Sequence, residues 1–406
     1  MKLSEYYLEN SKNGLSKSFK DSDEGVRIVN MKELFGYNPI TDSVEMRQVL
    51  LTNSELDRFG LKYNDLLFGR RSLMYEGSGK TTIYKGSLPT VFESSIIRVR
   101  LDEEKLNPDF ANYYFNSKVG RGNVLSIVTG AAVFGIRGSD LSNLKIGFPS
   151  LDTQKRIASI LSAYDDLIEN NNQRIQLLEE MAEEIYQEWF VRFRFPNYKN
   201  TKFLDKDGNE VAHGTKGAIP DGWEEMKLYD VFDINYGKNL AQTEILENGE
   251  FPVYGASGVM GYYHDYNCFN KVVLITSRGN GSGDIHRTRE AAFVTNNSFI
   301  AFPKKKYQNI KLSFIHEFFK MLHIERFCTG SAQPQLTNHS LENFKIQLPD
   351  ENIITRFCEI GDPLFDEIDL LLKKNQILQE TRDLLLPRLI SGKLSVEGLE
   401  LENTES

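Results

Sequence analysis

The sequence predicts an α+β fold with an internal pseudo-two-fold repeat: two similar globular domains joined by two long antiparallel helices that form a coiled coil. The first observation is a repeat without gaps, because residues 129–149 (TGAAVFGIRGSDLSNLKIGFP) match residues 329–349 (TGSAQPQLTNHSLENFKIQLP) at an offset of 200. The second is that each copy leads into a long segment whose apolar residues recur at steps of three and four. Four segments follow: a first domain (1–149), a central helical region (150–195), a second domain (196–349), and a C-terminal helical region with an acidic tail (350–406).

The two globular segments share an order of elements. In the first, LLFG (66–69) and SSIIRVRL (94–101) are typical of buried strands, and FANYYFNS (110–117) is typical of a short helix. In the second, strands are expected at KVVLITS (271–277) and NSFIAF (297–302), and a helix at LSFIHEFFKML (312–322). Residues 40–90 and 240–295 hardly resemble each other, so we expect a duplicated frame with different middles.

The two helical segments carry the apolar seam of a coiled coil. The first seam comprises Ile157, Ile160, Tyr164, Ile168, Ile175, Leu178, Ala182, Ile185 and Trp189. The second comprises the positions 200 residues later, namely Phe357, Ile360, Leu364, Ile368, Asn375, Leu378, Arg382, Leu385 and Leu389. Two ordinary amphipathic helices packed on separate domains would show the same spacing, but the repeat without gaps favours a symmetric pair. Because the chain starts inside a domain and ends in a helix, we expect the second helix to return to the first domain.

Centring the antiparallel seams on each other gives a specific register. Asn171 then faces Asn375, and Arg382 lies beside Tyr164. Two buried amides that bond each other would fix this register, as polar seam residues do in coiled coils. The alternative is that each asparagine lies at an exposed edge and bonds water.

Composition and charge limit the classes of protein. The chain has 406 residues, an ordinary hydrophobic fraction of 40% and a net charge of −9, and the excess of acidic over basic residues lies in the helical segments. We expect no membrane segment and no signal peptide, and the three scattered cysteines (Cys268, Cys328 and Cys358) fit structural thiols in a reducing cytoplasm. No complete catalytic, metal-binding or methyltransferase signature is present.

Basic and amide residues in the loops are candidates for contacts with phosphates or base edges. GSGKTT (77–82) lacks the glycine that a phosphate-binding loop requires, because position 74 is Met, and a basic loop between strands is the better interpretation. RGNGSGD (278–284) is interpreted as a sharp hairpin turn. The candidates are Arg70, Arg71, Lys80, Arg278, His286, Arg287, Arg289, Gln333 and Gln335. A solvated loop is the alternative for the residues around this hairpin.

Several segments resemble the specificity (S) subunits of type I restriction–modification systems. They are IPDGWE, GYYHDYN, ITSRGNGSGDIH, NNSFI, GSAQPQLT, IQLP, LDTQKRIASILSAYDDLIENNNQ and LLLPRLISGKL, and the similarity covers nearly the whole chain. Two departures lie in the first half, which has no Gly-Trp-Glu opening and which reads VFGI (133–136) where the second half has QPQL.

The resemblance implies a non-enzymatic subunit with two target-recognition domains, which reads a bipartite, asymmetric site in double-stranded DNA. It also implies two methylation (M) subunits and motor–nuclease (R) subunits as partners. S-adenosylmethionine, ATP and Mg²⁺ would be used by those partners, and this chain would bind no cofactor itself. One alternative is that the chain is the recognition subunit of a fused endonuclease–methyltransferase system. The other is that it is a coiled-coil scaffold with degenerate DNA-binding arms.

Overall fold

The structure, a computed structural model, describes residues 1–16, 25–279, 281–330 and 334–396. It divides into two compact units. The first unit is Met1–Glu169 together with the described chain from Asn375 onward, and the second is Asn170–Lys374. Each unit therefore contains one globular domain and a portion of both long helices.

The first globular domain mixes short strands and helices. Its strands are β1 (Tyr7–Asn13), β2 (Val26–Val29), β3 (Gln48–Val49), β4 (Leu66–Gly69), β5 (Arg71–Ser72), β6 (Thr81–Ile83), β7 (Thr90–Phe92), β8 (Ile96–Leu101) and β9 (Phe134–Gly135). Its helices are α1 (Met31–Gly36), α2 (Asn53–Phe59), α3 (Pro108–Asn116), α4 (Lys118–Leu125) and α5 (Gly138–Asn143). The strands expected around 66–69 and 94–101 and the helix expected around 110–117 are confirmed.

The long helix α6 (Leu151–Tyr186) continues into a π-helical turn (Gln187–Val191) and precedes the second domain. The strands that follow are β10 (Phe203–Leu204), β11 (Glu210–Val211), β12 (Ile219–Pro220), β13 (Glu224–Lys227), β14 (Phe232–Tyr236), β15 (Phe251–Gly255), β16 (Gly258–Tyr263), β17 (Val273–Thr276), β18 (Ile285–Arg287), β19 (Phe293–Val294), β20 (Ser298–Pro303) and β21 (Lys345–Leu348). The helices are α7 (Leu228–Val231), α8 (Leu312–Met321), α9 (Asn338–Leu341) and the second long helix α10 (Glu351–Ile390). The elements expected here near 271–277, 297–302 and 312–322 are also confirmed.

The two domains share the topology of their two main sheets. Each has an antiparallel four-stranded sheet, ordered β1-β8-β4-β6 in the first and β14-β20-β17-β18 in the second. Each also has a three-stranded sheet, β3-β2-β7 or β16-β15-β19, in which one pair of strands is parallel. The middles that hardly resemble each other in sequence therefore build corresponding strands.

The long helices run antiparallel within each unit. In the first unit Asp165 of α6 pairs with Arg382 of α10, and Ile157 and Leu389 share one buried cluster with Phe68 and Phe110. The expectation that the second helix returns to the first domain is thus confirmed. In the second unit Arg174 pairs with Glu367 at 3.1 Å, and the rings of Tyr186 and Phe357 lie 5.6 Å apart.

The seam differs from the expected one in two details. Arg382 pairs with Asp165, the residue after the expected neighbour Tyr164. Near the start of α10 the buried residues include Phe357, Gly361 and Phe365, whereas Ile360 is 42% exposed. This segment packs on α8, where Ser313 lies against Gly361, and the expected seam position Ile368 is buried again at 2% exposure.

Candidate nucleic-acid interface

A sharp turn after β4 presents two arginines in the first unit. The carbonyl oxygen of Arg70 accepts a hydrogen bond from the Ile136 amide at 3.0 Å, and Arg71 pairs with Gly135 across β5 and β9. Thr129 and Gly135 exchange two backbone hydrogen bonds of 2.9 Å, which close the loop that opens the sequence repeat. The Arg71 side chain is exposed at this fixed turn.

The second unit repeats this arrangement. The carbonyl oxygen of Ser277, after β17, accepts from the Leu336 amide at 2.9 Å, and Arg278 pairs with Gln335. Thr329 and Gln335 exchange backbone bonds of 2.9 and 2.8 Å. Arg278 is also exposed, so it is the structural counterpart of Arg71, and Gln335 is the counterpart of Gly135.

The repeated loops share a backbone conformation that requires glycine. Gly130 has φ of 113° and Gly330 has φ of 92°, a region that residues with a Cβ rarely adopt. A Cβ on Gly130 would also lie 2.1 Å from the Val133 carbonyl oxygen. The Thr-Gly repeat in the sequence therefore reflects one turn built twice, and each copy fixes an exposed arginine on the neighbouring segment.

Arg70 lines a polar cleft of about 400 Å³ in the first unit. Its guanidinium donates to the Ser94 carbonyl oxygen at 3.2 Å, and the other lining residues include Asn10, Asn13 and the exposed Arg137. Sequence reasoning missed these three, although Arg137 lies inside the repeated segment and could have been found there. The cleft places basic and amide donors beside the Arg71 turn.

Lys80 is held against its own domain. Its ammonium donates to the Phe35 carbonyl oxygen at 2.9 Å and lies 5.2 Å from the centre of the Phe35 ring. The segment from which it comes contains a 3-10 turn (Tyr75–Gly77) followed by β6, and not the helix that a phosphate-binding loop needs.

Two basic residues in and just after the β17–β18 hairpin, Arg287 and Arg289, lie near α10. Arg287 pairs with Asp369 at 2.7 Å and stacks over the Phe365 ring at 4.7 Å, and Arg289 lies 3.9 Å from Asp369 with half of its side chain exposed. Burial lowers the pKa of His286. The hairpin itself is as expected, but Arg287 and His286 are partly buried within the unit and Arg289 remains the more accessible of the three.

The other candidates have simple placements. Gln335 is partly buried at its bridge with Arg278, and Gln333 lies outside the described residues. Both seam asparagines are buried, Asn171 at 9% and Asn375 at 5% exposure, which does not fit exposed edges bonding to water. Both residues make interactions, and the direct pairing of their side chains stays a prediction.

No metal centre is formed by the residues that the structure describes. Within those residues no three histidine, cysteine, aspartate or glutamate side chains are grouped to hold an ion. The cysteines are free, with Cys268 and Cys358 buried and Cys328 partly buried. The described helices include none that is long and apolar enough to span a membrane.

Comparison with known proteins identifies the class. The family model for the type I restriction modification DNA specificity domain matches the chain twice, over residues 15–180 and 220–380. The chain therefore belongs to this family of DNA specificity proteins. The two matches coincide with the two halves of the internal repeat.

Similar proteins carry the same assignment. The MjaIX specificity subunit of a type I restriction enzyme from Methanocaldococcus jannaschii is 29% identical over 310 residues, covering 72% of this chain and 70% of the relative. The MjaVIII specificity subunit from the same organism is 24% identical, and the match covers 91% of this chain and 88% of that relative. The crystal structure of a type I S subunit from M. genitalium shares the fold, with a TM-score of 0.57 at 20% identity and coverage of 96% and 95%.

Proposed function

We propose that this protein is the DNA-recognition subunit of a type I restriction–modification system. It reads a bipartite, asymmetric site, one half with each domain, and directs methylation and restriction subunits to that site. The observation that carries the proposal is the repeated turn, which fixes Arg71 in one unit and Arg278 in the other with the same backbone pairing. Two copies of one surface match a target with two halves.

The chemistry of the turn supports base or phosphate contact. A guanidinium donates two parallel hydrogen bonds to the guanine O6 and N7 edge, or pairs with phosphate, and a rigid backbone holds it in place. The residue paired with the arginine is Gly135 in the first domain and Gln335 in the second. The two domains therefore present different side chains beside the arginine. In this mechanism Arg70 and Arg137 contact phosphates, which fixes orientation but adds no sequence information.

Exposed apolar residues on the long helices support docking of other subunits. In the first unit Leu167, Ile377 and Leu384 are at least half exposed, and in the second unit Leu177 and Met181 are similarly exposed. Leu177 and Met181, at i and i+4, share one face of α6, and exposed apolar residues grouped on one face are a feature of protein interfaces. We infer that two methylation subunits dock on the helices and that motor–nuclease subunits join them. S-adenosylmethionine, ATP and Mg²⁺ belong to those partners in this proposal, and the purified chain alone methylates and cleaves nothing.

Substitution of the paired arginines tests the proposal. The methylated motif of the assembled methyltransferase is determined by long-read sequencing for Arg71→Gln and for Arg278→Gln. We expect each change to relax or weaken one half of the motif, with about 1–3 kcal/mol of lost discrimination if the contact is to a base. Arg58→Gln and Lys216→Gln, which remove exposed cations away from the two turns, are the matched controls. A motif unchanged in both arginine variants would contradict the assignment.

A further inference from the structure

The second unit contains a cavity of about 410 Å³ among the β17–β18 hairpin, α8 and the two long helices. Its lining includes His286 from the hairpin, Glu317 and Lys320 from α8, Glu179 from α6 and Phe365 from α10. Of the candidates for DNA contact, His286 and Arg287 line it and are partly buried, whereas the exposed Arg278 and its neighbour Gln335 do not. The cavity is therefore distinct from the Arg278 turn.

Two buried polar atoms in this lining have neither a hydrogen-bond partner nor an ion-pair partner. Glu317 is only 2% exposed; its Oε1 atom lies 2.9 Å from the His316 ring, but its Oε2 atom has no partner. The Nε2 atom of His286 is likewise buried and unpartnered. An unpaired buried carboxylate oxygen is destabilising by more than a neutral group would be, so a ligand that donates to it would be bound favourably.

The first unit shows what occupies the corresponding place there. Aligned on their buried phenylalanines, Phe110 with Phe314 and Phe115 with Phe319, helices α3 and α8 match Tyr113 with Glu317. The Tyr113 hydroxyl donates to Asp165, and Asp165 pairs with the guanidinium of Arg382. A cation supplied by the second long helix thus completes the polar cluster of the first unit.

The corresponding helix position of the second unit carries no cation, although Lys320 of α8 lies close enough to Glu317 to interact with its charge. The residues 200 positions away from Asp165 and Arg382 are Phe365 and Ala182. In the second unit the carboxylate is that of Glu317 on α8. The residue that corresponds to Arg382 is Ala182, which is 1% exposed and carries only a methyl group. The repeat keeps the acid but not its basic partner.

The remaining charges of the cavity favour a cation. The two fixed cations in the lining are already paired, Arg287 with Asp369 and Lys320 with Glu183, each at 2.7 Å. Glu179, Asp284, Glu317 and Glu325 leave a surplus of acid. The described side chains do not group to hold a metal ion, so an organic cation with directional N–H donors fits better.

We propose that this cavity binds a guanidinium or primary ammonium group, which the Glu317 carboxylate holds as Asp165 holds Arg382 in the first unit. The group belongs either to a small free amine or to an arginine or lysine side chain of a partner subunit. In both cases Oε2 of Glu317 accepts its hydrogen bond. The second of these two origins, a side chain of a partner subunit, rests on the assembly proposed above; the first does not.

Calorimetric titration with agmatine, which carries a guanidinium and an amine, tests the site on the full chain. We expect saturable binding to the wild-type protein, and at least tenfold weaker binding to Glu317→Gln, which keeps the shape but removes the charge. Glu325→Gln is the matched control, because it removes an exposed acid from the same cavity and should change the affinity by less than twofold. Sodium chloride at the same ionic strength controls for screening.

A crystal of the wild-type protein soaked in agmatine gives a second measurement that needs no variant. We expect a ligand nitrogen within about 3 Å of Glu317 Oε2. Density elsewhere, or equal agmatine affinity of wild type and Glu317→Gln, would overturn the proposal.

Assembly with the methylation subunit distinguishes the two sources. If a partner side chain is the occupant, agmatine competes with assembly and Glu317→Gln weakens assembly at least tenfold. If a free amine is the occupant, the variant loses agmatine binding but assembles and reads its motif normally. Absence of agmatine binding together with unchanged assembly of Glu317→Gln would overturn the inference while leaving the DNA-recognition proposal intact.

Discussion

At the residue scale, Arg382 shows how a charged side chain can occupy the seam of a coiled coil. It occupies a position that is apolar in most of the repeat, yet its side chain is only 27% exposed because it pairs with Asp165. Asp165 also accepts from Tyr113 on α3, so one carboxylate joins the first domain to both long helices. Burial, followed by the neighbouring Asp165 charge, raises the pKa of Tyr113, which remains a hydrogen-bond donor at neutral pH.

We predict that Arg382→Ala lowers the free energy of unfolding by about 1–2 kcal/mol, because it leaves a half-buried carboxylate without its cation. Arg174→Ala is the matched control: that arginine is 53% exposed in its pair with Glu367, and exposed pairs contribute less than about 1 kcal/mol. Urea denaturation at neutral pH measures both. Equal effects of the two changes would contradict the role of burial.

The order of elements in the sequence predicted that Arg70-Arg71 and Ser277-Arg278 follow corresponding strands, but not how these residues are held. They are held by backbone pairing with Gly135 and Gln335, which lie more than 50 residues away along the chain. The contact of Arg287 with Asp369 was missed for the same reason, since it joins a hairpin to a distant helix. Residue type is local information, whereas accessibility is set by the fold.

At the scale of elements, the long helices were the most predictable part of the molecule. Apolar spacing over many turns gives a strong periodic signal, and α6 and α10, with 36 and 40 residues, span roughly 54 and 60 Å at 1.5 Å per residue. The local phase of the buried face was less predictable, as exposed Ile360 shows, because α8 packs beside α10 there and Ser313 donates a hydrogen bond to Asp362.

The register prediction for Asn171 and Asn375 can be tested by a double-mutant cycle. If the amides bond each other, Asn171→Leu and Asn375→Leu should each destabilise the protein by about 1–3 kcal/mol, because each leaves one buried amide unpaired. The double variant should be less destabilised than the sum of the single variants. Additive effects in urea denaturation would show that the two amides have separate partners.

We also predict that the helices set the distance between the two half-sites. Insertion of four residues beside Asn171 adds about one turn, or ~6 Å, which corresponds to roughly two base pairs. The methylated motif should then keep its half-sites and gain unread base pairs between them, as long-read sequencing would measure. Altered bases within a half-site would argue against this separation of roles.

At the scale of the whole molecule, duplication of the domain is more complete than the sequence suggested. Short strands such as β3, β7 and β19, of two or three residues, carry almost no periodicity, so the shared sheet order could not be derived from them. Long-range pairing defines that order, including the parallel pairs β2–β7 and β15–β19. The loops between those strands are free to differ while the frame is kept.

This architecture predicts that exchanging residues 1–149 for those of a relative changes only one half of the recognised motif. The first domain packs through Phe68 and Phe110 on Ile157, Leu161 and Leu389 of the long helices. A donor with apolar residues at the same contacts should therefore dock on α6 and α10 without altering the second unit, because the core of that unit is formed by other residues. Reconstituted methyltransferase carrying the exchange should methylate a motif with one new half-site, the original second half and the original spacing.

The reciprocal exchange of residues 196–349 is the matched control and should replace the other half alone. A change in both halves from either exchange would mean that the two domains form one composite reading surface.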